Sequence, residues 1–315
     1  MKKICRFGFI LFIIGIAGMI SSPTISEAYE EIDVSNGGSI SGTITIEGQL
    51  PTPRVFALIQ FPFGPFCKKI SDGEGNVRLK EYVVNKENNG LWEAVVSIRD
   101  ISKGKPYRPT VADFVAVDCM FHPADVADAE QFVLGDDGKL RHQHPNVAIL
   151  HNHQRMNMIN RDPVVHNIQV YQNEKGNILL NSPLPISDKP RGGVLNFKRG
   201  RRISQMICGM HEFMQSWGFV VRNPYYAKTE KDGSYRIDGI PPGTYEVSIW
   251  HPHSKIYNKT VTVKASKSSR MDFVFNASLI RRPAYESQEQ TRLDTATPKD
   301  HILQEGDDRI LIGGE

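Results

Sequence analysis

Three features of the sequence predict an all-β fold. In "SISGTITIEG", Ile40, Ile44 and Ile46 fall on one face and small polar residues on the other; "LWEAVVSIRDI" carries Val95, Val96 and Ile98 before a Gly-Lys-Pro break. The stretch "AKTEKDGSYRIDGIPPGTYEVSIW" has turn chemistry at Asp232-Gly233 and at Pro241-Pro242-Gly243, then an alternating run. There Tyr245, Val247 and Ile249 oppose Thr244, Glu246 and Ser248. Beyond the first 28 residues no run sustains the 3.6-residue period of an amphipathic helix.

Taken in order, the chain of 315 residues starts with Lys2, Lys3 and Arg6, an apolar run from Phe7 to Ile20, and small residues up to Ala28. This is the layout of a secretory signal cleaved after Ala28, with a run too short for a membrane span. The mature chain is then expected in the periplasm or outside the cell, with no membrane span. Processing removes three basic residues and one acidic one, so the remainder is nearly neutral and gives no case for a nucleic-acid partner. Lys198, Arg199, Arg201 and Arg202 form the one local basic cluster, suited to steering an acidic redox partner or simply solvated. Of four cysteines, Cys5 leaves with the signal. Cys67, Cys119 and Cys208 stay, and an oxidising compartment pairs two and leaves one thiol.

In the middle of the chain, "MNMINRDPVVHNIQVYQ" reads as strand, turn and strand, with Val164, His166, Ile168 and Val170 on one face. The run "RRISQMIC" is another strand, with Ser204, Met206 and Cys208 on one face, and it leads into Gly209 and His211. Such a strand end and loop can turn Cys208, His211 and Met214 toward one point. Thiolate, imidazole and thioether suit copper, and two His, one Cys and a weak axial Met make the blue-copper set. Here that set is His166, His211, Cys208 and Met214. His166 can equally be a hydrogen-bonded core histidine, and Cys208 a disulfide partner.

Two family resemblances follow from these motifs. Thr229 to Tyr245, with a Gly42 to Gly48 strand far upstream, resembles the carboxypeptidase regulatory-like, or carbohydrate-binding-like, β-sandwich. Residues 111–222 resemble a cupredoxin, through Phe121 to Pro123, Asn160 to Asn167, and Cys208 to Met214. The mature chain as a whole is similar to secreted bacterial plastocyanin-like proteins with a regulatory-like domain, some of them labelled methylamine-utilisation proteins. Its matching stretches are "DCMFHP", "DPVVHN", "CGMHEFM", "NPYYAKTEKDG" and Trp250-His251.

The resemblance implies a cupredoxin Greek-key β-sandwich inserted in, or packed against, the regulatory-like sandwich. Residues 29–106 and 223–276 would build the regulatory-like sandwich and residues 107–222 the cupredoxin, with sequential domains as the alternative; residues 277–315 would be a flexible tail. It also implies one copper ion cycling between Cu(I) and Cu(II), a Cys67–Cys119 disulfide, and His211 as the exposed edge facing a redox protein. Electron-transfer cupredoxins place the Met two residues later, so Met214 departs from the pattern, and one loop cysteine is too few for a binuclear site. The insertion containing "FVLGDDGKLRHQHP" is expected to be a loop.

The expected function is single-electron transfer without enzymatic activity. The rivals are copper storage or delivery, and an envelope binding module that uses the carbohydrate-binding-like sandwich. Delivery would draw on the pairs His142 and His144, His151 and His153, and His251 and His253 as a second metal site.

Overall fold

In the computed structural model, residues 29–79, 81–124, 132–134, 140–142, 147–172 and 177–280 are described. The expected signal, residues 1–28, and the tail beyond residue 280 lie outside them. The described residues are almost wholly β, with a single α-helical turn, Gly64–Cys67. No helix among them is long and apolar enough to cross a membrane.

The first sandwich has a five-stranded sheet in the order Val147–His151, Gln215–Val221, Ile203–Cys208, His166–Gln172 and Ile178–Leu184. A four-stranded sheet, in the order Ser187–Val194, Arg155–Asn160, Ala112–Val117 and Met120–Pro123, closes it. Period-two alternation fills the space between them: Phe114 and Ala116, Met156 and Met158, Ile168 and Val170, and Met206 and Cys208 all point into one apolar core. His166 is 2 % exposed and shares the inward face of Ile168 and Val170, as the alternation predicts.

The second sandwich takes strands from both sides of the first. Gly38–Glu47 pairs with Ser234–Ile240, Ser268–Arg270 and Phe273–Asn276; Val95–Ile98 pairs with Tyr226–Lys228 and Gly243–Trp250, whose other edge carries Tyr257–Val263. Ile40, Ile44 and Ile46 all enter its core. The expected Asp232-Gly233 turn is present. Gly233 has φ +78°, and a Cβ there would come within 2.4 Å of the Ile44 carbonyl oxygen, so only glycine fits.

The five-stranded sheet is covered on both faces, which is why every residue from Ser204 to Cys208 is buried. Its second face meets the other sandwich through Trp217, Phe219 and Val221, packed on Val95 and Trp250. Phe219 and Trp250 stack with ring centroids 5.3 Å apart. The same seam buries Ser248, which the alternation placed on an open face.

Residues 54–79 depart from expectation. Leu58, Phe61, Cys67, Ile70, Val77 and Leu79 pack into the first sandwich's core, not into that of the regulatory-like sandwich. The Cys67–Cys119 disulfide forms, with Cα atoms 5.7 Å apart, and Cys208 is left as a free, buried thiol. The insertion is more than a loop, because Phe132–Leu134 and Leu140–His142 pair antiparallel and His142 pairs with Leu79. At the other end, Ala277–Leu279, assigned to the tail, forms a 3-10 turn with Ala277 buried.

Candidate metal centre

Cys208 ends one strand and His166 begins its antiparallel neighbour, whose Ile168 pairs with Cys208. The loop after Cys208 turns back at once, because the Cys208 amide donates to the Met214 carbonyl at 3.0 Å and the Met214 amide to the His211 carbonyl at 2.9 Å. Gly209 permits the turn: its amide donates to the Asn167 carbonyl at 2.8 Å, and a Cβ would lie 2.3 Å from the Asn167 Oδ1. The Met210 amide reaches the Cys208 Sγ at 3.5 Å.

These constraints bring three ligand atoms together. Cys208 Sγ lies 4.0 Å from His166 Nδ1 and 3.6 Å from His211 Nδ1, and the two Nδ1 atoms are 3.2 Å apart. His211 and Met214 are fully buried beside them. The other ring nitrogens are already engaged: His166 Nε2 donates to the Asp162 Oδ2 at 2.9 Å, and His211 Nε2 to the Pro62 carbonyl at 2.7 Å. A carbonyl or carboxylate oxygen only accepts, so each Nε2 holds the proton and each Nδ1 turns a bare lone pair inward. Two imidazole lone pairs and a sulfur facing one another in a dry pocket repel unless a cation sits among them.

The charges agree with this. Burial alone would raise the Cys208 thiol, but the His166 and His211 imidazoles beside the sulfur draw it down to about 6, toward the thiolate that binds metal. Burial would lower His166, and Asp162 and Cys208 hold it above its ordinary value. Burial would likewise raise Asp162, yet His166 and the Cys119 and Asp118 amides hold its carboxyl below the usual range.

Asp162 also accepts from Asp118 N at 2.7 Å and Cys119 N at 2.9 Å, so one carboxylate braces both a ligand and the left-handed turn at Asp118 and Cys119. Cys119, Asp162 and His166 form a second cluster of ligand atoms, but the disulfide takes the Cys119 sulfur out of metal chemistry. The sequence motif contained Asp162 without revealing this role. Nothing in the sequence signalled Pro62.

One expected role is corrected. His211 is no exposed edge, because the Phe61 to Cys67 segment covers it. Pro62 holds its Nε2, the Phe63 ring lies 6.4 Å away, and Phe61 packs edge-on to Phe213 at 5.1 Å. The pairs that the delivery reading would need as a second metal site have other partners or differ in exposure. His151 is buried, with its Nδ1 2.7 Å from the Tyr107 hydroxyl, while His153 is exposed in the following turn. His251 and His253 are both buried, His253 against Glu81 at 2.5 Å. His144 lies outside the described residues.

Residues 220–276 match the carboxypeptidase regulatory-like domain family. That range covers the C-terminal strands of the regulatory-like sandwich. No curated protein matches the chain. Among solved structures, a reduced amicyanin variant is 13% identical, over 36% of this chain and 86% of its own, at a TM-score of 0.24. A purple cupredoxin from Nitrosopumilus maritimus is 18% identical, over 35% of this chain and 99% of its own, at 0.23. The copper-containing nitrite reductase of Thermus scotoductus SA-01 is 14% identical, over 39% of this chain and 25% of its own, at 0.25. At these values the likenesses say nothing of metal or activity.

Proposed function

We propose that the protein is a secreted, mononuclear copper protein of type 1-like character that carries single electrons between redox proteins and is not an enzyme. One observation carries this reading: two imidazole Nδ1 atoms and the one free thiol among the described residues converge within 4.0 Å, with both Nε2 atoms committed elsewhere. Two imidazoles and a thiolate are a copper donor set, to which the buried Met214 would add a thioether; a thioether suits Cu(I) better than zinc.

Copper bound there supplies a one-electron couple between Cu(I) and Cu(II). The chain's own residues do the rest. Asp162 and Pro62 fix the tautomer and direction of each imidazole, Gly209 holds the Cys208 turn, and Phe61, Phe213 and Met214 keep water out. A rigid, dry site limits rearrangement during transfer, which favours an electron carrier over delivery, where the metal must leave. The disulfide supports an oxidising location, periplasmic or extracellular. Kinship with the methylamine-utilisation group belongs to the same reading.

The test is reconstitution of the mature protein with Cu(II), followed by absorption spectra of wild type and Cys208→Ser. A strong visible thiolate-to-copper band that the variant lacks is expected. A colourless wild type that binds zinc instead would overturn the copper reading.

A further inference from the structure

Arg202 lies at the end of strand Ile203–Cys208 remote from the metal ligands, where the two sandwiches meet. A cavity of about 420 Å³ opens there, lined by Arg99, Arg199, Arg202 and Arg222 and by one acidic residue, Asp100, together with Ser248 and Asn258. Arg99, Ser248 and Asn258 come from the regulatory-like sandwich and its edge; Arg199, Arg202 and Arg222 flank strands Ile203–Cys208 and Gln215–Val221. The basic cluster seen in the sequence is thereby divided, because Lys198 and Arg201 do not line the cavity.

The carboxylates at this cavity pair with one of its four arginines. Arg99 pairs with Asp100 at 3.3 Å and with Glu246 at 3.1 Å. Arg202 has only neutral partners: its guanidinium donates to Ser248 Oγ at 2.9 Å, Ser97 Oγ at 3.1 Å and the Val220 carbonyl at 3.1 Å, with its face 4.4 Å from the Phe219 ring centroid. The side chains of Arg199 and Arg222 have no hydrogen-bond or ion-pair partner among the described residues. Three guanidiniums with no carboxylate paired to them therefore line one cavity, whose one acidic residue, Asp100, is held by Arg99. Burial, with Arg222 and Arg99 nearby, pulls Arg202 down to about 10, and the nearby Asp100 offsets only part of this.

An anion seated among these guanidiniums would offset the mutual repulsion of the half-buried Arg202 and the exposed Arg199 and Arg222. Guanidinium forks match the oxygens of phosphates, sulfates and carboxylates, each N–H donating to an anionic oxygen. Ser248 donates to Asn258 Oδ1 at 2.9 Å, which leaves the Asn258 amide N–H groups as further donors. A volume of about 420 Å³ is at the small-ligand end of the usual range of binding sites.

We propose that this seam is a binding site for a small oxyanion of two negative charges, of the phosphate-ester or dicarboxylate class. The bound anion would bridge the two sandwiches, because its ligands come from both. The six residues of strand Ile203–Cys208 put the site on the order of 20 Å from the metal ligands at about 3.3 Å per residue, so it is separate from the proposed electron-carrying centre and does not depend on it.

Titration calorimetry of the mature protein with inorganic phosphate at pH 7 and low ionic strength tests the site, with thermal unfolding in the same buffers. Saturable binding is expected, with a midpoint of unfolding that rises with phosphate. Arg199→Ala combined with Arg222→Ala should weaken binding by roughly tenfold or more, through the loss of two charge-assisted contacts. Both side chains are exposed, so the variant should fold; Lys198→Ala should bind as wild type does. Absence of saturable binding, equal affinity in the double variant, or equal loss in Lys198→Ala would each overturn the site. Binding of a glutamate-rich peptide in the absence of phosphate binding would overturn the small-anion assignment in favour of a docking surface for an acidic partner.

Discussion

His211 Nε2 donates to the carbonyl of Pro62, 149 positions earlier in the chain, at 2.7 Å. An interior ligand is thus oriented by a segment outside the strands that carry the other ligands. That segment is tied down by the Cys67–Cys119 disulfide and by Phe61 against Phe213. It closes the side of the centre where a partner would otherwise approach His211.

Loosening the cover should open the centre. Phe61→Ala removes a buried ring at a cost of about 3–5 kcal/mol and should speed extraction of copper from the reconstituted protein by an external chelator. An extraction rate unchanged from wild type would show that the segment does not guard the site.

Asp162→Asn keeps the size of the side chain but exchanges a carboxylate that accepts from His166, Asp118 and Cys119 for an amide that can still accept but is uncharged. Copper affinity, measured by competition with a Cu(I) chelator, should fall about 10–100-fold, as expected when the residue orienting a ligand is lost. Unaltered affinity would make Asp162 a brace for the turn alone.

Stability should fall as the solution is acidified below neutrality. Burial pulls His251 down to about 3, so the folded protein keeps it neutral while the unfolded chain takes up a proton near its ordinary 6.5. The contribution is complete above about 6.5 and shrinks as pH falls toward 3, by about 1.4 kcal/mol per unit. Burial shifts His151 the same way. Urea midpoints at pH 7, 6 and 5 should therefore decline in wild type, and decline less in His251→Leu. Parallel declines in both proteins would remove His251 as the source.

Arg54, Glu81 and His253 form a buried charged group that Gln215 joins to the metal loop. Arg54 pairs with Glu81, which also holds His253, and it donates to Gln215 Oε1 at 2.9 Å; Gln215 in turn donates to the Glu212 carbonyl at 2.7 Å. Burial alone would raise the Glu81 carboxyl, but Arg54 and His253 hold it well below the usual carboxylate range. Arg54→Met should cost about 3–5 kcal/mol, because it takes the guanidinium from a buried carboxylate and leaves it His253 alone. Glu81→Gln combined with Arg54→Met should recover part of that loss in thermal unfolding. If the double variant were no more stable than Arg54→Met, the network would not be what holds this region.

Much of the centre was legible because its signals are local. A period of two placed His166 with Ile168 and Val170, and a strand end followed by glycine placed Cys208 and His211 on one turn. The odd number of mature cysteines left one thiol over. Asp162 stood inside a recognised motif, but its contact with the Asp118 and Cys119 amides spans more than forty residues, and alternation carries no such information.

The sequence by itself determined which residues form strands, which side chains those strands turn inward, and which cysteine, histidine and methionine share a loop. Backbone pleat and loop length settle these over a few residues. Only the tertiary structure decided that residues 54–79 leave the sandwich expected for them and cover the centre, that Pro62 orients His211, and that Arg202 sits in a seam instead of in solvent. Those outcomes depend on which distant surfaces exclude water from one another, and long-range packing of that kind leaves no periodic trace in the chain.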